Sequence, residues 1–183
     1  YYSTKQYRYP GTPASNSNNR NALLFRDPTV DGLKTGHTAA AGYCLVATAQ
    51  RDMPNVGNRR LLSIVLGTAS ENARSGESQK LLNWGYTAFD GVKLFDGGQP
   101  VEEARLWKGS QSTLKIGQES PIVVTVPAGS AGKLTTQVVR KDPLIAPVAK
   151  GQNVGTLKVL LGTDTVAEVP VVVRELEDRT VVA

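Results

Sequence analysis

The 183-residue sequence is 40% hydrophobic and 20% charged, a balance that supports a buried core in one large domain or two small ones. No apolar run reaches the roughly 20 residues of a membrane-crossing helix, and a single cysteine, Cys44, excludes an intrachain disulfide. The net charge of +5 is concentrated in residues 1–91, which hold ten Lys/Arg against six Asp/Glu; these are scattered singly, so a small anionic group is the expected partner and nucleic acid is not.

In chain order, YYSTKQYRY alternates as a strand would, and residues 10–21 (PGTPASNSNNRN) are a polar, turn-rich loop. After VDGLKTGHT (30–38), the β-prone runs GYCLVATAQ and RRLLSIVLG flank RDMPNVGN, predicting a long-looped antiparallel hairpin. Over 71–89 the period becomes helical, with Ser78, Leu81, Leu82, Gly85 and Phe89 on one face. From Val92 onward short β-prone runs are separated by Gly, Pro and Asp. A hairpin signal falls at Asp96-Gly97-Gly98 and a turn at Gly162-Thr163-Asp164. The pattern predicts an α+β part over residues 1–91, the closing part of a domain, followed by a small all-β sandwich-like domain over 92–183.

The chemistry concentrates in VDGLKTGHT. On a strand beside a cleft, Lys34 supplies a cation, Thr35 a hydroxyl donor, and Gly36 a place where backbone approaches a ligand closely. An extended peptide ending in a carboxylate suits that set, lying along the strand as an added one. The competing reading is a turn, because Asp-Gly followed by Lys-Thr-Gly is also loop chemistry. Of the other singular residues, Cys44 reads as a buried small hydrophobe. Trp84 and Trp107 read as packing groups, an exposed Trp107 being the condition for a binding role.

K-T-G belongs to the motif set of penicillin-binding proteins and class A β-lactamases, with S-x-x-K and S-x-N. The ordered series NNRNALLF, VDGLKTGHT, AGYCLVATA, RRLLSIVLG and RSGESQKLLNWG, continuing through LWKG, LTTQVVRKDPLIAPVAKGQNVGTLKV and VPVVV, resembles the D-alanyl-D-alanine carboxypeptidases over essentially the whole chain. The resemblance implies the C-terminal portion of a β-lactamase/transpeptidase-like catalytic domain over 1–91 and the family's β-rich second domain over 92–183. The implied activity is removal of the terminal D-Ala of peptidoglycan stem peptides through a serine acyl-enzyme, inhibited by β-lactams, with neither cofactor nor metal. The alternatives are a β-lactamase and a non-catalytic peptidoglycan-binding or scaffolding module.

The same resemblance assigns residues. Lys34 and Thr35 face the substrate carboxylate, Gly36 keeps the strand open, and the backbone N–H of His37 contributes to the oxyanion hole. Arg20, in the NRN element, and Arg74 are further substrate-binding candidates, the structural alternative being an ion pair such as Arg20 with Asp31. In the family the S-x-x-K and S-x-N motifs precede K-T-G. Here Ser112-x-x-Lys115 and Ser130-x-x-Lys133 follow it, Ser17-x-Asn19 sits in a loop close before it, and Ser70-x-Asn72 comes after it. None is expected to serve, so the N-terminal half of the catalytic domain, with the nucleophile, is expected to be missing from this chain. Periplasmic location peripheral to the inner membrane is implied too. Membrane attachment is expected only through a C-terminal anchor helix, absent from the closing RELEDRTVVA.

Overall fold

The computed structural model describes residues 1–175 and is rich in strand with few helices. The expectation about an anchor helix falls mostly on residues 176–183, outside the described residues. Two compact units form, Tyr1–Phe89 and the residues from Asp90 onward.

In the first unit a four-residue helix, α1 (Leu23–Arg26), leads into a three-stranded antiparallel sheet in the order β1-β2-β3: β1 (Val30–Thr38), β2 (Gly42–Met53) and β3 (Gly57–Thr68). The 17-residue helix α2 (Glu71–Thr87) follows and packs on β2 and β3. Leu45, Ala47 and Ala49 alternate onto one face of β2 and are fully buried with Leu23, Leu24, Leu82 and Tyr86, as the two-residue period of a strand requires. Gly42 opens β2 at φ +64°, where a Cβ would lie 2.9 Å from the Thr68 carbonyl oxygen, so only glycine makes this turn.

Several sequence expectations are corrected here. The opening YYSTKQYRY is an exposed segment and not a strand, making only an isolated bridge, Gln6 with Asn18. The long loop of the β2–β3 hairpin is a tight turn, because Met53 and Gly57 are in register and Asn55 and Gly57 take positive φ. On α2 the buried face is Arg74, Ser75, Ser78, Leu82 and Tyr86, while Leu81 is exposed. Cys44 is half-buried. Trp84 is 56% exposed, its ring edge-on to Phe89.

The second unit is built from strands. β4 (Phe89–Phe95), which opens at the boundary, pairs with β7 (Ile122–Pro127). A six-stranded sheet runs β8 (Leu134–Arg140), β10 (Asn153–Leu161), β11 (Asp164–Val173), β6 (Thr113–Gly117), β5 (Pro100–Trp107), β9 (Leu144–Ile145). Asp96-Gly97-Gly98 therefore joins strands of different sheets and makes no hairpin. Gly162-Thr163, by contrast, is a two-residue connection between β10 and β11, with Gly162 at φ +64°. Trp107 is 48% exposed on β5, with the Arg105 guanidinium 4.4 Å from its ring, so the two tryptophans are not interior packing groups.

Candidate functional site: the Lys-Thr-Gly strand

The VDGLKTGHT run is strand β1 and not a turn, paired with β2 from Lys34↔Val46 through Thr38↔Gly42. Among the described residues β1 is a sheet edge, so alternate N–H and C=O groups along it point away from β2. The register sorts its side chains. Thr35 and His37 lie opposite Leu45 and Tyr43, on the face that carries α2, while Lys34 and Gly36 lie opposite Val46 and Cys44, on the other.

A cleft of about 720 Å³ runs along this edge and gathers Arg20, Lys34, Thr35, Gly36, His37 and Arg74, with Tyr43 and Glu71. All six residues singled out from the sequence thus come together. Lys34 is exposed, and its Nζ donates to the Thr35 carbonyl oxygen at 2.7 Å. The His37 ring lies 4.0 Å from the Tyr43 ring, tilted by 30°. The imidazole is thereby held on its neighbour. Arg20 is exposed at the rim, while its main-chain carbonyl is tied to Arg74.

Arg74 is 2% exposed. Its Nη1 donates to the Gly36 carbonyl oxygen (3.3 Å), and its Nη2 donates to the Arg20 carbonyl (3.2 Å) and to Glu71 Oε1 (3.2 Å). The guanidinium also lies 5.5 Å from the Tyr43 ring. One planar fork thus joins helix α2, the NRN loop and the Lys-Thr-Gly strand, a geometry that a point charge cannot reproduce. This gives Arg74 a positioning role in addition to its place in the lining.

The pairing of Arg20 with Asp31 does not form. Asp31 instead accepts from Arg60 Nη1 (2.8 Å) and Nη2 (2.7 Å) and from Thr48 Oγ1 (2.6 Å), all within the sheet. The Arg60 hydrogen bonds hold its carboxyl below the usual range, against the opposing push of partial burial. Arg20 is left beside the cleft.

Asn21 carries weight that the sequence did not reveal. It is 1% exposed, its Nδ2 donates to the Gly32 carbonyl (3.0 Å), and its Oδ1 accepts from Leu23 N (3.1 Å), locking the start of β1 to α1. The only signal was its place in NRN beside Arg20.

The S-x-N and S-x-x-K look-alikes have other local settings. Ser70 caps α2, its Oγ accepting from Ala73 N at 3.1 Å. Ser17 donates to the Ala14 carbonyl, and Asn19 donates to the Tyr2 and Thr4 carbonyls. Lys115 is on strand β6, and Lys133 ends a three-residue 3-10 turn. Neither Ser-Lys pair sits on an α-helix, where a three-residue spacing brings two side chains onto one face.

The strand edge along this cation-lined cleft reads Lys-Thr-Gly-His and so carries the K-T-G element of the motif set shared by penicillin-binding proteins and class A β-lactamases. Residues 1–70 match the family model described as D-alanyl-D-alanine carboxypeptidase, and residues 89–178 that of the penicillin-binding protein 5 C-terminal domain. D-alanyl-D-alanine carboxypeptidase DacC of Escherichia coli (strain K12) is 38% identical over 159 residues, 86% of this chain and 38% of the relative. DacA of Haemophilus influenzae is 38% identical over 139 residues, 75% of this chain and 34% of the relative. The crystal structure of penicillin-binding protein 5 from Haemophilus influenzae superimposes with a TM-score of 0.79 at 34% identity, covering 94% of this chain and 48% of that one. The chain belongs to the D-alanyl-D-alanine carboxypeptidase family and corresponds to the C-terminal portion of its members. It spans well under half the length of these curated relatives.

Proposed function

We propose that this chain is the substrate-carboxylate and oxyanion wall of a serine-type D-alanyl-D-alanine carboxypeptidase of the bacterial cell wall. The observation that carries the reading is the edge strand, with Lys34, Thr35, Gly36 and His37 open to one cleft that also holds Arg20 and Arg74. A stem peptide ending in D-Ala-D-Ala lies antiparallel or parallel to β1 as an added strand. Thr35 Oγ1 and the ammonium of Lys34 take its terminal carboxylate, with the Arg20 guanidinium beside them and Arg74 holding the wall in place. A serine from the part of the relatives that this chain does not match attacks the penultimate carbonyl carbon. The carbonyl π electrons move onto oxygen, where the His37 N–H meets the developing charge. Collapse of that intermediate breaks the amide bond, D-alanine leaves with a proton on its nitrogen, and water hydrolyses the resulting ester. The His37 ring, stacked on Tyr43, shapes the rim and takes no proton. β-Lactams present the same carboxylate and carbonyl and stop at the acyl stage.

In this reading residues 1–91 are the closing part of the catalytic domain and 92–183 its β-rich companion. The location is periplasmic, peripheral to the inner membrane. Among the described residues no helix is long and apolar enough to cross a membrane.

Fluorescent penicillin tests the proposal. A longer protein that joins this chain to the nucleophile-bearing portion labels and releases D-alanine from a D-Ala-D-Ala peptide, and the 183-residue chain alone does neither. Labelling of the chain alone would overturn the dismissal of its own serines. Rapid turnover of the labelled adduct would identify a β-lactamase, and an upstream portion without S-x-x-K would identify a non-catalytic binding module.

A further inference from the structure

The second unit carries a surface that the acyl-transfer reading leaves unused. Along β5 the two-residue period buries Ala104 and Leu106 and turns Glu103, Arg105 and Trp107 to solvent. Trp107 is therefore an indole on the open face of a sheet, and among the described residues it stacks on no other aromatic ring. Ile145, 50% exposed, sits opposite it in the parallel β5–β9 register. The Arg105 guanidinium lies 4.4 Å from the ring, and Thr113 of β6 is set opposite Arg105. The chain then leaves the strand through Lys108, whose φ of +56° is a left-handed conformation that favours glycine. Backbone held in that region clusters at ligand clamps and other working sites. Arg105 and Lys108 are both exposed and form no ion pair among the described residues, whereas the neighbouring acid Glu103 lies opposite Lys115.

We propose that this surface is a saccharide platform: a pyranose ring of the peptidoglycan glycan chain seats its C–H face on the Trp107 indole, with the carboxylates of the attached stem peptides against Arg105 and Lys108. The identity of the polymer rests on the carboxypeptidase reading above. Size chooses a sugar over a protein. One indole and one isoleucine in a polar surround match a single ring, whereas a stable protein interface buries about 800 Å² on each partner. The chemistry agrees. A pyranose has an apolar face and a rim of hydroxyl and amide groups, so it takes an aromatic ring at its centre and hydrogen bonds at its edge. Arg105 offers donors in a fixed fork beside the ring, and the Thr113 hydroxyl both donates and accepts. Charge selects a polymer bearing acids, because two exposed cations without carboxylate partners flank the platform. A lipid surface is a poorer match, since it takes a broad apolar face to a depth of roughly 5–10 Å, and Glu103 and Thr113 interrupt this one. Binding the polymer at a second place on one chain raises the effective concentration of its stem peptides for the Lys-Thr-Gly cleft.

Two measurements on the 183-residue chain test the platform without turnover. In a Trp84→Phe background the emission of Trp107 is read alone. A β-1,4-linked N-acetylglucosamine tetramer at millimolar concentration, which carries no peptide, is expected to shift that emission to shorter wavelength and to saturate. Emission that does not change with the tetramer overturns the proposal, whether or not any further variant folds. Purified sacculi are expected to pull down the chain. Trp107→Ala or Arg105→Ala weakens that binding roughly tenfold, the scale for an aromatic or arginine anchor, and Trp107→Phe keeps most of it. Wild-type binding by a Trp107→Ala chain that melts at the wild-type temperature overturns the platform. So does Trp107-dependent binding to vesicles of anionic phospholipid without any to sacculi, since the occupant is then a membrane. The longer protein that joins this chain to the nucleophile-bearing portion separates the platform from the reading it rests on. There Trp107→Ala is expected to slow D-alanine release from sacculi roughly tenfold, with kcat/KM for a soluble D-Ala-D-Ala peptide unchanged. An equal effect on the two substrates overturns the platform. Sacculus binding that depends on Trp107, in a protein that releases D-alanine from neither substrate, upholds the platform and refutes the carboxypeptidase reading.

Discussion

Asp27 shows how single residues hold the Lys-Thr-Gly strand in place from a distance. It closes α1 and opens the turn into β1. Its Oδ1 accepts from the Thr29 N–H (2.9 Å) and hydroxyl (2.6 Å), and its Oδ2 accepts from Arg51 Nη2 (3.1 Å). Arg51 in turn donates to Asn83 Oδ1 on α2 and lies 4.3 Å from the Tyr86 ring. Burial pushes the Asp27 carboxyl up, but the Thr29 hydrogen bonds and the Arg51 charge outweigh it and leave it below its ordinary value of 3.8. A carboxylate whose folded value lies below its unfolded one stabilises the fold above the unfolded value, and that contribution disappears as pH falls through the folded one. Asp27→Asn is therefore expected to cost roughly 1–3 kcal/mol at pH 7, the range for a hydrogen bond to a charged group. The gap to the wild type should begin to narrow as pH falls below about 4, near the unfolded value, and close only as pH falls through the lower folded one. Urea unfolding at pH 7, 5 and 3 checks this, and a gap at pH 3 no smaller than that at pH 7 would remove the ionised carboxylate as its source.

At the scale of elements, α2 governs the site through Arg74. Its capping Ser70 and the buried stripe of Ser75, Ser78, Leu82 and Tyr86 fix the helix against the sheet. The guanidinium then spans two carbonyls, of Gly36 and Arg20, that no local segment brings together. This explains what was legible in the sequence and what was not. The K-T-G run, the β2–β3 hairpin and the existence of a helix over 71–87 follow from motif, alternation and period. The buried face of that helix does not, because an arginine and two serines fill it where the apolar pattern pointed to Leu81 and Gly85. Arg74 is interior because the remote Gly36 and Arg20 carbonyls accept from its guanidinium, whereas Ser75 donates to the Glu71 carbonyl one turn back and the buried Ser78 hydroxyl has no hydrogen-bond partner. Asp96-Gly97-Gly98 misleads for a related reason: β4 pairs with β7, and a local turn signal carries no information about a distant partner. Arg60 takes Asp31 from Arg20 because the sheet register brings it there. Arg74→Lys tests the helix-to-strand clamp. One ammonium cannot serve both carbonyls, so the variant should lose about 1–3 kcal/mol of stability. Amide exchange should rise at residues 34–37 of β1 while staying unchanged at the far end of α2; uniform exchange along the helix would indicate simple loss of packing.

The two units differ in how far each satisfies itself, and that difference yields a prediction about the molecule as a whole. The first leaves Leu62, Ile64 and Leu66 in water on a long edge strand. The second draws its cores from its own strands: Ala104, Leu114, Ile116, Leu157, Val171 and Val173 in one cluster, Val124, Val126 and Val159 in another. Its outer strands, β8 and the two-residue β9, are blunted by Arg140 and by brevity, respectively. Residues 90–183 expressed alone are therefore expected to fold and to melt in one cooperative transition, with an enthalpy near 60 kcal/mol for a domain of this size. Ile116, fully buried where β6 meets both β5 and β11, is the sensitive point. Ile116→Ala removes three carbons from a close-packed interior, and the expected loss is about 2–5 kcal/mol. Val123→Ala, on an exposed position of β7, should cost well under 1 kcal/mol. Calorimetry of the isolated segment and its two variants measures all three quantities. A broad, non-cooperative melt of the wild-type segment would show that its core is completed by residues outside it.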